Sequence, residues 1–77
     1  MNTTSTDTAS ARIAAAMKTA ERSSKWTAEK SGIPETTFRR KVSGHVDFTV
    51  TELDRIARAL SVSPLDLLPA SMLSVAA

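Results

Sequence analysis

The chain has 77 residues, 42% of them hydrophobic and 23% charged, with a formal net charge of +2 and no cysteine. That length supports one small hydrophobic core and no second functional domain, and the missing cysteines exclude disulfides, thiolate zinc sites and cysteine nucleophiles. No run approaches the ~20 apolar residues of a membrane span and the amino terminus lacks an apolar signal core, so a cytoplasmic protein without a membrane partner is expected.

Residues 1–9 are rich in Thr and Ser, show no periodicity and carry one charge, which predicts a disordered lead. From Thr8 or Ser10 to about Arg22, the residues Ile13, Ala16, Met17 and Ala20 recur at i, i+3, i+4 and i+7 among helix-favouring alanines. This predicts a first helix with Arg12, Lys18, Glu21 and Arg22 on its outer face. Ser23 or Ser24 is placed to cap a second helix of thin apolar content, Trp26, Thr27 and Ala28. Ala28 is small enough for helices to cross closely there, and Trp26 is expected to pack against the first helix.

Gly32 then tolerates the positive φ of a tight helix exit, and Pro34 supplies a fixed φ of about −65° for the first position of a third helix. On a wheel of ~100° per residue, Phe38 and Val42 share one face of that helix with Ile33 entering beside them. Thr36, Arg40 and Ser43 lie opposite, flanked by Thr37 and Arg39. Helix, glycine turn, helix and a second glycine at Gly44 together spell a helix-turn-helix. After a loop holding His45 and Asp47, Thr49 with Glu52 makes a capping box, and Phe48 with Leu53 makes a hydrophobic staple. A fourth helix follows to about Leu60, with Leu53, Ile56, Ala57 and Leu60 inside and an Asp54–Arg58 pair outside. A fifth is predicted from Ser63 as cap, Pro64 first and Asp66 third, with Val62 stapled to Leu67 and Pro69 as the stop. Residues 70–77 form an apolar tail without charge.

The segment carrying Ala28, Gly32, Ile33, Thr37-Phe38, Arg40 and Gly44 resembles the phage-repressor and Cro class of DNA-binding domains, also called the XRE class, and the resemblance spans roughly Ile13 to Leu68. Thr27 stands where that family usually has leucine, Lys41 where an aliphatic is common, and Val42 where a polar residue often sits. The resemblance implies an all-α, five-helix, lambda-repressor-like domain over residues 10–69. It further implies a transcriptional regulator that blocks transcription by occupying a double-stranded DNA operator.

No nucleophile–base pair, paired carboxylates or Gly-rich phosphate loop stands out, so no catalysis, cofactor, metal or small-molecule ligand is expected. Charge supports recognition of phosphate instead: Lys18 to Lys41 holds seven basic and three acidic residues, whereas His45 to Ala77 holds two and four. With the third helix in the major groove, Thr36 and Arg40 are the candidate base readers, Arg40 being suited to guanine O6 and N7. Glu35 and Arg39 join them: Glu35 either accepts from cytosine N4 or pairs with Arg39 four residues on, and Arg39 is itself better placed for the DNA backbone. Thr37, Lys41 and Ser43, with Ser24 and Lys25 at the start of the second helix, are the phosphate candidates, and His45 is either one more or a solvated side chain. One recognition helix reads only a few base pairs, so a homodimer is expected, built on Leu65, Leu68, Met72, Leu73 and Val75. The alternatives are an antitoxin or excision-control protein, and a helical protein–protein adaptor that does not bind DNA.

Overall fold

The computed structural model describes residues 8–69. The predicted tail, with Met72, Leu73 and Val75, and most of the predicted lead lie outside them. Four α-helices follow in order: α1 (Ala9–Ala20), α2 (Ser24–Ser31), α3 (Glu35–Val42) and α4 (Val50–Leu60). A short 3-10 helix, Pro64–Leu67, completes the described chain.

Local chemistry sets most of these boundaries. Thr8 caps α1, its hydroxyl accepting from Ala11 N–H, so the helix begins at Ala9, inside the stretch predicted as lead. Ser23 caps α2 by accepting from Trp26 N–H. Thr49 and Glu52 form the expected reciprocal capping box on α4. Gly32 adopts φ 75° after α2, where Ile33 N–H donates to Ala28 O at 3.0 Å and closes the helix end. Glu21 and Ser61 take the same left-handed conformation after α1 and α4, with φ of 57° and 59° and no glycine to ease it. Glu21 thereby ends α1 at Ala20, short of the predicted Arg22. Pro34 is the N-cap residue rather than the first helical residue of α3, and its carbonyl accepts from Phe38 N–H.

The predicted fifth helix is corrected. Pro64 to Leu67 makes a single 3-10 turn, capped by Ser63 as expected. Pro69 pushes Leu68 into extended backbone, with ψ at 137°, so the chain never completes the second turn that an α-helix needs.

Every element contributes to one core: Ile13 and Met17 from α1, Ala28 from α2, Ile33 from the turn, Phe38 from α3, the four predicted residues of α4, and Leu67. Phe38 is fully buried and meets Phe48 edge-on, ring centroids 5.9 Å apart at 64°. Val42 and Trp26 pack against this core while half-exposed. Thr27, also fully buried, satisfies its hydroxyl by donating to Ser23 O at 2.9 Å, and Ser31 donates to Thr27 O at 2.6 Å. A polar residue therefore sits at a core position where leucine is usual in the resembling family, because the preceding turn supplies its acceptor.

Candidate nucleic-acid interface

Burying Phe38 fixes the roll of α3. With Phe38 inward, Thr36, Arg39, Arg40 and Ser43 are exposed, and Glu35 and Thr37 are partly so. Thr36 and Arg40, one turn apart, share the outward face. Among the described residues no carboxylate pairs with Arg40, so its five donors remain available. Glu35 and Arg39 form the expected i, i+4 pair, with Arg39 Nη2 at 2.8 Å and Nε at 2.9 Å from Glu35 Oε2. That contact lets the Glu35 carboxylate stand on this face with its charge offset.

The structure does not bring Lys41 to the outward face. Its ammonium donates to both oxygens of Glu52, at 2.6 and 2.8 Å, and its side chain is only 12% exposed. Lys41 thus fills the position where an aliphatic is common by burying its stem, while Glu52 answers the charge. Glu52 in turn accepts from Thr49 N–H at 2.9 Å, so one carboxylate serves both the cap of α4 and the seat of α3. Burial alone would push the Glu52 carboxyl up, but the hydrogen bonds from Lys41 and Thr49 outweigh it and hold the group below its ordinary value. A second tie to α3 comes from α1, where the Ser10 hydroxyl donates to Lys41 O at 2.6 Å.

Ser43 and His45 are exposed just past α3, with Ser43 Oγ 2.7 Å from His45 Nδ1 and donating to Arg40 O. At the start of α2, Lys25 is exposed and Ser24 half-buried, beside N–H groups that α2 itself does not use. Sequence reasoning missed Val46. It is 40% exposed and lines a small notch of about 140 Å³ with Thr37, Arg40 and Lys41. The signal available in the sequence was an apolar residue alone in a polar loop.

Among the described residues no group of His, Cys, Asp and Glu could hold a metal ion. No described helix is long and apolar enough to cross a membrane. No curated relative and no solved structure is significantly similar to the chain. A family model for the Cro/C1-type HTH DNA-binding domain matches residues 12–70, covering all four helices except the first turn of α1 together with the 3-10 turn. The helix-turn-helix of α2, Gly32 and α3, and a family match over most of its length, make this chain a member of the Cro/C1-type helix-turn-helix DNA-binding domain family.

Proposed function

We propose that this protein is a sequence-specific transcriptional regulator, a phage-type repressor or Cro-like protein that blocks transcription by occupying an operator. The observation that carries this reading is the face of α3 opposite buried Phe38, where Thr36 and an unpaired Arg40 stand one turn apart and exposed. With α3 in the major groove, Arg40 reads guanine through O6 and N7, and Thr36 contacts the neighbouring base. Val46, beside Arg40, offers an apolar contact of the kind a thymine methyl takes. Glu35 and Arg39 act as a pair at the edge of this face. Thr37, Ser43, His45, Ser24 and Lys25 set register on backbone oxygens, and Lys41 serves by holding α3 on Glu52.

Two copies would give the specificity that one helix lacks, with recognition helices roughly 34–36 Å apart on an inverted repeat. Leu65, 60% exposed on the 3-10 turn, supports a contact at that end of the domain. Such a regulator would act on DNA in the cytoplasm of a bacterial host cell.

Selection of bound sites from a random duplex pool, followed by binding at two salt concentrations, tests the reading. An inverted-repeat consensus and a log–log salt slope of about −0.9 per phosphate contacted support it. Recovery of no consensus, with flat salt dependence, overturns it.

A further inference from the structure

A shallow, open groove of about 750 Å³ lies between α2 and α4, its lining including Arg22, Trp26, Glu29, Lys30, Arg55 and Arg58. It shares no residue with the outward face of α3. Four of its ten lining residues are cations and one, Glu29, is a carboxylate. Asp54 on α4 accepts from Arg58 Nε at 3.0 Å, which leaves the rest of that guanidinium fork available. Among the described residues, Arg22, Lys30 and Arg55 have no carboxylate partner. Two of the cations lie over the indole, Arg22 at 4.3 Å and Lys30 at 5.8 Å from the ring centroid. The ring is held in place by these contacts and by the core beneath it, and Ala59 adds a small apolar surface from α4.

Four cations against the carboxylates of Glu29 and Asp54 leave an excess of positive charge around the indole, and a negative ligand relieves the repulsion among them. We propose that this groove docks an acidic peptide segment of a protein partner. Carboxylates engage Arg22, Lys30, Arg55 and Arg58, and an apolar side chain of the segment rests on Trp26 and Ala59. The groove shares no residue with the outward face of α3, and the half-exposed indole between its cations offers an apolar side chain a seat that a phosphate backbone would leave unused. The regulator would then hold DNA on one side and an acidic partner on another, and the two activities are separable.

Trp26 is the only tryptophan and the chain has no tyrosine, so intrinsic emission comes from a single ring at this groove, and circular dichroism separates a change of fold from a change at the ring. The full chain is titrated with a synthetic peptide of glutamate and leucine that lacks Trp and Tyr, and with the same peptide carrying lysine for glutamate. The expected result is a saturable emission change with the acidic peptide that weakens with salt, and none with the lysine peptide. Arg55→Glu/Arg58→Glu should weaken peptide binding about tenfold or more while affinity for random-sequence duplex stays near that of the parent. Arg55→Gln/Arg58→Gln replaces it if circular dichroism shows the first variant misfolded, with a smaller loss in the same direction expected. No saturable response from the parent, an equal response to both peptides, or a loss of duplex affinity matching the loss of peptide affinity would overturn the proposal; the last would make the groove a phosphate contact.

Discussion

Glu52→Ala removes a carboxylate that joins the seat of α3 to the cap of α4, and its cost follows from the geometry. Glu52 accepts from the Lys41 ammonium at 2.6 and 2.8 Å and from Thr49 N–H at 2.9 Å. The side chains of the ion pair are only 12% and 18% exposed. A hydrogen bond to a charged group contributes ~1.5–3 kcal/mol net, and a cap ~0.5–2 kcal/mol. The Thr49 hydroxyl still caps Glu52 N–H in the variant, and the Lys41 stem can swing its ammonium toward water. The expected loss is therefore ~2–3 kcal/mol, below the ~3–5 kcal/mol of a broken, fully buried pair. For a domain of this size that lowers Tm by ~10–20 °C. Thermal and urea melts of the parent, Glu52→Ala, Lys41→Met and the double variant measure it. Lys41→Met keeps the apolar stem and leaves Glu52 with Thr49 alone, so the double variant should lose less than the two singles together. Additive losses, or a Glu52→Ala variant within ~0.5 kcal/mol of the parent, would refute the pair as a strut between α3 and α4.

Phe38→Ala should cost ~3–5 kcal/mol and abolish DNA binding through loss of folding, visible as a collapsed thermal melt; an unchanged melt would show that Phe38 does not anchor α3. Gly32→Ala meets nothing within 4 Å of the added Cβ, so its cost of ~1 kcal/mol should come from the φ of +75° alone. Ser61→Gly at φ 59° should act in the opposite direction, stabilising by ~0.5–1 kcal/mol, and matched urea titrations read both signs. Because folding lowers the Glu52 pKa, its contribution is complete above the ordinary glutamate value of ~4.3 and is lost as pH falls through the lowered one. Glu52→Gln should lack that part of the acid destabilisation, and stability curves of equal slope below pH ~4.3 would contradict the assignment.

What was legible in the sequence was local. Ser23, Gly32, Thr49 with Glu52, and Ser63 act on backbone within a few residues of themselves, and the Glu35–Arg39 and Asp54–Arg58 pairs follow from helix pitch alone. Phe38 was identifiable as the anchor because its helix has one strongly apolar stripe. Most of the misses join residues that only the folded chain brings together. Lys41 was assigned to phosphate because a lysine beside Arg39 and Arg40 looks solvated, and nothing within one turn announces Glu52, eleven residues on. The Ser10 tie to Lys41 spans thirty-one residues. Trp26 was read as packing on α1. It does pack on the core, but its other surroundings are the cations of the groove between α2 and α4, a placement set by how those helices cross. The 3-10 turn carried every signal of a helix start, and the miss was one of length, since Pro69 acts sooner than the cap suggested.

The central claim is that the outward face of α3 reads DNA sequence through Arg40. Its most direct measurement compares Arg40→Ala with the parent on the duplex recovered from the random pool and on random duplex at the same salt. The expected result is a loss of ~1–3 kcal/mol on the selected duplex, relaxed preference at one base pair, and a smaller loss on random DNA. Equal losses on the two duplexes, or no binding of either by the parent at low salt, would contradict it.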